Sequence, residues 1–214
     1  MNKNEKFVIT INRELGSGGR TIGRKLSEKL DVPFYDKAVI ETLEQKYQLD
    51  VDQIEKLKGR DHSWWAEVKR ALFGSDGKAI TANYALAVPE GKPFEPTSFE
   101  MFTVEQELLG NLAEEGSCVV AGRSGFYAFR NHPNHLNVLI QASMPCRVER
   151  VMRRQGMTED EARQTIEKID KMRENYVKEY TKTSRYDTRN YDLVITADGH
   201  SEDEIAELIM QYIK

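Results

Sequence analysis

The sequence predicts an α/β fold built on a doubly wound parallel sheet of five strands. Short apolar runs rich in β-branched residues alternate with helical segments, the pattern of strands that are buried on both faces and joined by helices. The 214 residues also suffice for one such domain, which at this size buries about 70% of the surface of the unfolded chain. Ligands of these sheets bind at the carboxyl ends of the strands. Residues that follow the strands are therefore the first candidates for a functional site.

The spacing of apolar residues predicts each element. Phe7–Ile11 forms the first strand, and Ile22, Leu26 and Leu30 mark one face of the helix that follows. The remaining predictions are, in order, a strand at Val32–Tyr35, helices opened by Asp36 and by Asp50, a helix at Phe99–Glu115, strands at Cys118–Ala121 and Leu136–Ala142, helices at Pro145–Gln155 and Thr158–Tyr180, a strand at Tyr191–Thr196, and a final helix capped by Ser201 and Glu204. In that last helix, Ile205, Leu208, Ile209 and Tyr212 are expected to face inward.

One segment, Gly74–Ser98, has little periodicity and several glycines and prolines. It predicts a long flexible loop, and loops of this length inside a domain are usually functional lids or disordered. We therefore expect a single domain over residues 1–214, with a flexible insertion at about 74–98.

Composition excludes several classes of protein. The chain is 39% hydrophobic and 31% charged, with a net charge of −4 and a pI near 5.7, which argues against general nucleic-acid binding. No apolar run approaches the roughly 18 residues of a membrane helix, and the N-terminal residues lack the apolar core of a signal peptide. Cys118 and Cys146 form no C-x-x-C pair. A cytoplasmic protein with reduced thiols is expected, without nucleic-acid polymer or membrane partners.

The charge is unevenly distributed. Residues 147–189 contain 12 Lys or Arg against 9 Asp or Glu, a balance of +3, so the rest of the chain carries −7. A locally basic segment on an acidic protein favours a small anionic ligand over a polyanion. Solvated helix faces of mixed charge would give the same pattern.

A glycine-dense turn connects the first strand to the first helix, with the residues Gly16, Ser17, Gly18, Gly19, Arg20 and Thr21. In such a turn, backbone N–H groups converge on an anion at the helix N-terminus. Arg20 would add a guanidinium group that can bind phosphate through two hydrogen bonds, and Thr21 would add a hydroxyl for Mg²⁺ or phosphate. A tight turn without a ligand is the alternative, but the position, the spacing and the basic side chain together favour phosphate binding.

Two known glycine motifs match this turn only in part. The dinucleotide pattern G-x-G-x-x-G fails because Thr21 stands where its third glycine belongs. The P-loop pattern G-x-x-x-x-G-K-[ST] has Arg13 in place of its first glycine and Gly19 in place of its lysine. The P-loop lysine neutralises charge on the β- and γ-phosphates. Arg20 or Arg13 must therefore supply that charge if the chain transfers phosphoryl groups.

Three segments of the chain resemble the bacterial cytidylate kinase-like family, a branch of the P-loop nucleoside monophosphate kinases. They are ITINRELGSGGRTIGRKLSEKLDVPFYDK at residues 9–37, VVAGR at residues 119–123 and YDLVI at residues 191–195. The Arg-rich helix from Arg147 to Arg154 and the pair Asp170 and Arg173 match as well. The resemblance implies a three-layer P-loop NTPase fold with a helical lid at about residues 147–189. It also implies phosphoryl transfer from ATP, as its Mg²⁺ complex, to a nucleoside monophosphate such as CMP or dCMP.

The resemblance also implies a role for individual residues. ATP would be bound by Arg13 and by residues 16–21, with Arg20 as the first candidate for the counter-charge. The groups implied at the transferring phosphoryl are Arg20, Arg123, Arg150, Arg154, Asp170 and Arg173. Those implied at the acceptor are Asp36, Arg123, Ser124 and Arg147, and those implied at Mg²⁺ are Thr21 and Asp36.

Some of these residues have alternative interpretations. Arg147, Arg150 and Arg154 are spaced i, i+3, i+7 and so share a helix face; a solvated basic surface is the alternative, but four arginines in the eight residues 147–154 exceed what solubility needs. Asp170 and Arg173 could be an ordinary surface ion pair, and Asp36 a helix cap. Ser124 stands where cytidylate kinases have Asp, which leaves cytosine specificity open.

Three other functions remain open at this stage. They are a kinase of another small anionic acceptor, a nucleotide-binding regulatory protein without turnover, and an NAD-dependent oxidoreductase. The last has weak support, because the dinucleotide pattern is incomplete. The sequence leaves the oligomeric state undetermined.

Overall fold

The computed structural model describes residues 1–36 and 99–213 of the chain. Five parallel strands form one sheet in the order β2-β3-β1-β4-β5. The strands are β1 (Val8–Arg13), β2 (Phe34–Tyr35), β3 (Cys118–Ala121), β4 (His135–Gln141) and β5 (Leu193–Thr196). The helices are α1 (Gly19–Leu30), α2 (Phe99–Glu115), α3 (Gly125–Ala128), α4 (Met144–Gln155), α5 (Glu159–Thr181) and α6 (Glu202–Tyr212), with a 3₁₀ turn at Thr188–Asn190. The predicted doubly wound parallel sheet is confirmed.

The central strand β1 has helices on both of its faces. Ile9 and Ile11 belong to an apolar cluster that includes Leu26 of α1 and Ile209 of α6. Val8 points to the opposite face and belongs to a second cluster, formed largely by α2 and β3. Alternating side chains of a strand point to opposite faces, so the apolar sequence of β1 serves two cores. This gives the helix–sheet–helix layers expected of the fold.

The helices α4 and α5 form a smaller unit beside the sheet, with Val148, Val151, Ala162 and Ile166 as its buried core. A capping box at Thr158 and Glu161 opens α5, and the predicted one at Ser201 and Glu204 opens α6. Both capping boxes satisfy backbone N–H groups that the first turn of a helix leaves unpaired.

The prediction for the inward face of α6 is partly wrong. Ile205 and Ile209 are buried as expected, but Leu208 is 51% exposed and Tyr212 is 49% exposed, while Ala206 is fully buried. The helix packs mainly against α1 in the outer layer, where Lys25 and Lys29 of α1 pair with acidic residues of α6. A helix in an outer layer buries a narrow stripe, and Leu208 and Tyr212 lie outside it.

Three predicted segments lie outside the described residues: the helices opened by Asp36 and Asp50, and the loop at 74–98. Within residues 1–36 and 99–213, none of the helices has the length and apolar character needed to cross a membrane. Cys118 and Cys146 are both free thiols, and burial raises the pKa of Cys118 to about 12.

Candidate active site

The glycine loop lies between the carboxyl end of β1 and the first turn of α1. Gly16 and Gly18 have φ angles of 85° and 88°, a left-handed conformation that favours glycine. Gly18 caps α1 without a side-chain hydrogen bond, and the first turn of α1 has no acidic residue. The first turn of α1 therefore contributes no negative charge of its own at the positive end of the helix, which suits an anion, and Glu202 of α6 is the acidic side chain that lies beside Gly18. Ser17 is fully buried, and its hydroxyl donates to the carbonyl of Glu14 at 3.0 Å, so its side chain stabilises the turn.

Two arginines of α4 hold the loop from outside. Arg147 donates through Nε to the carbonyl of Leu15 at 2.8 Å, and Arg150 donates through Nη1 to the carbonyl of Gly16 at 3.0 Å. A Cβ on Gly16 would lie 2.7 Å from the carbonyl oxygen of Arg147, so only glycine allows this approach. The C=O and N–H of a trans peptide point in opposite directions. The N–H of the same peptide bond, which belongs to Ser17, therefore points away from Arg150, and it donates to the carbonyl of Glu14 at 3.3 Å.

Asp170 of α5 lies at the centre of a buried cluster of arginines. Its carboxylate pairs with Arg147, lies 3.5 Å from Nη1 of Arg173 and 3.6 Å from Nη1 of Arg185, and accepts a hydrogen bond from the amide of Leu15 at 3.1 Å. Asp170 is 7% exposed and Arg185 is 3% exposed. With Glu14, which lies 3.4 Å from Arg147, two carboxylates face these three guanidinium groups, so this part of the site carries excess positive charge.

Arg13, at the end of β1, increases that positive charge. Its backbone carbonyl accepts hydrogen bonds from Arg173, at 3.5 Å, and from Arg185. Burial, followed by the charges of Arg173 and Arg185, lowers the pKa of the Arg13 guanidinium to about 9. Burial, followed by the charge of Arg185, also lowers the pKa of the Arg173 guanidinium. Arg13 remains charged at neutral pH, in a group of cations that an anionic ligand would stabilise.

Arg20 and Thr21, in the first turn of α1, have other partners. The Nε of Arg20 donates to Asp36 at 2.6 Å; the Arg20 side chain is 52% exposed and that of Asp36 is 4% exposed. The hydroxyl of Thr21 accepts from Arg154 at 3.1 Å. Glu202 of α6 lies 3.6 Å from Arg150 and 3.5 Å from Arg154. The three arginines that the sequence places on one face of α4 thus all contact the glycine loop or the first turn of α1.

These residues offer a magnesium ion few protein ligands. Among the described residues, no group of three or more His, Cys, Asp or Glu side chains could hold a metal ion. Thr21 offers its hydroxyl oxygen at the start of α1, and Asp36 offers a carboxylate, which is hydrogen-bonded to Arg20. Mg²⁺ bound with nucleotides keeps several waters and takes only one or two protein ligands besides substrate phosphates. The donor set fits such an ion.

The end of β3 is strained. Gly122, Arg123 and Ser124 have φ angles of 81°, 54° and 51°, three successive residues in the left-handed region, which non-glycine residues adopt at a cost. The Arg123 guanidinium forms a buried ion pair with Glu105 of α2, and Glu105 accepts a second hydrogen bond from the hydroxyl of Tyr176 at 2.8 Å. Such strain is typical of functional sites, where the surroundings hold an unfavourable backbone.

Sequence reasoning missed three residues of the site: Glu14, Glu105 and Arg185. Glu14 accepts from the amide of Ala142 at 3.0 Å and lies 3.4 Å from Arg147, so it links β4 to α4. The partners of Glu14, Glu105 and Arg185 are distant in sequence, so no local spacing identifies these three residues. Arg185 lies inside the basic segment at 147–189, and that charge count was the one available signal.

Comparison with known proteins gives a consistent result. The model of one protein family, described as the cytidylate kinase-like family, matches residues 8–198 of the chain. A cytidylate kinase from Methanopyrus kandleri is 30% identical over 105 residues, which are 45% of this chain and 54% of that protein. The chain thus spans about half the length of this curated relative.

The likeness to solved structures concerns the fold. An uncharacterized protein from Eubacterium ventriosum superposes with a TM-score of 0.65 and 24% identity, over 97% of this chain and 98% of its own. A shikimate kinase from Acinetobacter baumannii in complex with shikimate aligns over 98% of this chain and 93% of its own, with 14% identity and a TM-score of 0.49. The first match supports the fold, and the second is too weak to carry an argument.

Proposed function

The chain belongs to the cytidylate kinase-like family, and from that premise we propose that it transfers the γ-phosphoryl group of ATP to a nucleoside monophosphate, CMP or dCMP. One observation carries the proposal. The glycine loop, with its helix N-terminus, lies beside Arg13, Arg173 and Arg185, and together they form a compact cationic site at the carboxyl ends of the strands. Polyphosphate is the ligand that this combination suits.

The proposed reaction needs positioning and charge stabilisation. An oxygen of the acceptor phosphate attacks the γ-phosphorus of ATP, a new P–O bond forms, and the bond to the β-phosphate oxygen breaks. The products are a nucleoside diphosphate and ADP. Residues 16–21 bind the ATP phosphates, and Arg150, Arg154, Asp170 and Arg173 arrange the groups around the transferring phosphoryl. Their contribution is electrostatic, because phosphoryl transfer asks for little covalent chemistry from the protein.

We place the acceptor at the end of β3. Arg123 would bind its phosphate, with Ser124, Arg147 and Asp36 as further contacts. The Glu105 carboxylate fixes the Arg123 side chain. A preorganised arginine loses less entropy when it binds a phosphate.

Magnesium and a helical lid complete the proposal. Thr21, with Asp36 nearby, would hold the Mg²⁺ that accompanies ATP, and the ion would neutralise charge on the β- and γ-phosphates. The segment at about 147–189, which includes α4 and α5, would serve as the lid of a single domain. A cytoplasmic location suits the proposal, because ATP and nucleoside monophosphates are present there.

A coupled ADP-release assay with Mg-ATP tests this function. The acceptor panel is CMP, dCMP, the other nucleoside monophosphates, shikimate-like acids and buffer alone. We expect release with CMP or dCMP, and a loss of roughly 10²–10³-fold in rate for Arg123→Ala, the size seen for comparable electrostatic donors. Arg130→Ala is the matched control, because Arg130 is exposed and contacts Tyr127.

Three results would change the assignment. Release with another acceptor alone would keep the chemistry and replace the substrate. ATP binding without release from any acceptor would favour a nucleotide-binding regulatory protein. Full activity of Arg123→Ala would remove Arg123 from the acceptor site.

A further inference from the structure

We propose that Arg13 supplies the positive charge that a lysine supplies in the P-loop pattern, and that Gly19 stands in the lysine position because the Arg13 side chain fills the space there. This inference rests on the proposed function for its ligand, a nucleoside triphosphate. It concerns the phosphate site alone, so it is tested by binding as well as by turnover.

The contact between positions 13 and 19 carries the proposal. Arg13 ends β1 and Gly19 begins α1, and the turn between them brings their backbones together. A Cβ on Gly19 would lie 2.5 Å from Cβ and 3.1 Å from Cγ of Arg13. These atoms are close to the Arg13 backbone and cannot swing away. A lysine at position 19 is therefore incompatible with a side chain at position 13, and the two positions exchange their roles.

Gly122 provides the space for the far end of Arg13. A Cβ on Gly122 would overlap Nη1 of Arg13 and lie 3.0 Å from its Cζ. The guanidinium thus lies against the end of β3, between the glycine loop and the turn that carries Arg123. In the parallel sheet this is the carboxyl edge of neighbouring strands β1 and β3, where a ligand of this fold binds.

The charge environment also favours Arg13 over Arg20. Among residues 1–36 and 99–213, the Arg13 side chain has no hydrogen-bond or ion-pair partner, whereas Arg20 is bound to Asp36 at 2.6 Å. Arg173 and Arg185 lie close enough to Arg13 to repel it. A cation held among cations is stabilised when an anion binds, and a polyphosphate would bring several negative charges.

Binding of ATP and of inorganic tripolyphosphate, measured by titration calorimetry in excess Mg²⁺, tests the exchange of roles. We expect Arg13→Gly to weaken both ligands by roughly tenfold to a hundredfold, the worth of a hydrogen bond to a charged group. Gly19→Lys should also weaken them, because the new side chain collides with Arg13. The double variant Arg13→Gly/Gly19→Lys restores the G-x-x-x-x-G-K pattern and should recover binding to within about threefold of the parent.

A near-identical double variant is the control. Arg13→Ala/Gly19→Lys keeps a Cβ at position 13, and the two Cβ atoms would still lie 2.5 Å apart, so we expect no recovery. Arg163→Gln removes one exposed positive charge from α5 and should leave both affinities unchanged. Circular dichroism and thermal unfolding identify any variant that fails to fold. Arg13→Lys keeps the charge in a folded background and should retain part of the affinity.

Each result separates this inference from the proposed function. Parent-like affinity of folded Arg13→Gly would overturn the inference, and so would equal recovery by the alanine and glycine double variants. If the parent chain binds neither ATP nor tripolyphosphate, the inference also fails. If the binding series follows the expected order but no acceptor is phosphorylated, only the proposed function fails.

Discussion

Arg147 and Asp170 form a buried ion pair, and the two side chains together bind both backbone groups of Leu15. Arg147 donates to its carbonyl at 2.8 Å, and Asp170 accepts from its amide at 3.1 Å. The side chains come from two different helices, α4 and α5. The glycine loop is therefore fixed to the small helical unit at the residue where it leaves β1.

Removing the charge of Asp170 should destabilise the protein. Asp170→Asn keeps the shape of the side chain but leaves Arg147, Arg173 and Arg185 without this carboxylate. Breaking a buried ion pair by removing one partner costs about 3–5 kcal/mol, and we expect a loss near the lower end, because Glu14 remains 3.4 Å from Arg147. Urea unfolding measures the change. Glu167→Gln, an exposed site on the same helix, should change the free energy of unfolding by less than about 0.5 kcal/mol; an equal loss in both variants would contradict the role of the pair.

Two glycines in helices should respond oppositely to alanine. A Cβ on Gly23 of α1 would lie 2.8 Å from Cε2 of Phe34 and 3.4 Å from Ile11, so Gly23→Ala forces α1 away from the sheet and should cost about 1–3 kcal/mol. A Cβ on Gly110 of α2 would meet none of the described residues within 4 Å, so Gly110→Ala should stabilise the protein by about 0.5–1 kcal/mol. Thermal unfolding of the two variants checks the signs. Destabilisation by Gly110→Ala would show that its surroundings are tighter than described.

A partly buried histidine should make stability depend on pH. Burial lowers the pKa of His135 to about 4; its Nε2 lies 2.8 Å from the hydroxyl of Thr10, and its ring packs on Phe129. In the unfolded chain the pKa of a histidine is about 6.5. Between these values the unfolded state binds more protons, so stability falls as the pH is lowered from about 6.5 to 4.

The expected slope is about 1 kcal/mol per pH unit within that window. Urea unfolding at a series of pH values measures it. Acidic residues also lose stabilising contacts near the lower end, so the informative quantity is the difference between the parent and His135→Gln, which removes this proton from the balance. Parallel pH profiles of the two proteins would show that His135 titrates normally.

Features determined by local spacing could be predicted from the sequence. The strand order depends on tertiary contacts. The strands themselves follow from apolar runs, and the end of α2 at Glu115 and both ends of β3 were predicted without error. The i, i+3, i+7 spacing of the α4 arginines placed them on one face. The burial of Leu208 was predicted wrongly, because helical periodicity does not show how wide a stripe the neighbouring helix covers.

The partners of charged residues could not be predicted in the same way. Arg20 was the first candidate for the phosphate counter-charge, yet its partner is Asp36, 16 residues away. Arg185 donates to the carbonyl of Arg13 across 172 residues. Such pairs form because parallel strands bring their carboxyl ends to one edge, and that proximity follows from strand order rather than from spacing along the chain.

Ser124 offers a test of the acceptor site in which stability and binding should change in opposite directions. The residue is buried with φ of 51°, and its hydroxyl has no hydrogen-bond partner among the described residues. Ser124→Gly removes the strain of a side chain in the left-handed region and a buried hydroxyl without a partner. Glycine also increases the conformational entropy of the unfolded chain, which offsets part of this gain. The net free energy of unfolding should rise by about 1 kcal/mol.

The same change should weaken acceptor binding, because the hydroxyl would then be missing from the proposed site. We expect the KM for the acceptor to rise by roughly tenfold, the worth of one hydrogen bond, with an unchanged KM for ATP. Ser124→Ala separates the two effects, since it removes the hydroxyl but keeps a Cβ at positive φ: it should share the KM of the glycine variant and gain less stability. If both variants keep the parent KM, Ser124 does not contact the acceptor, and its conformation is a property of the turn alone.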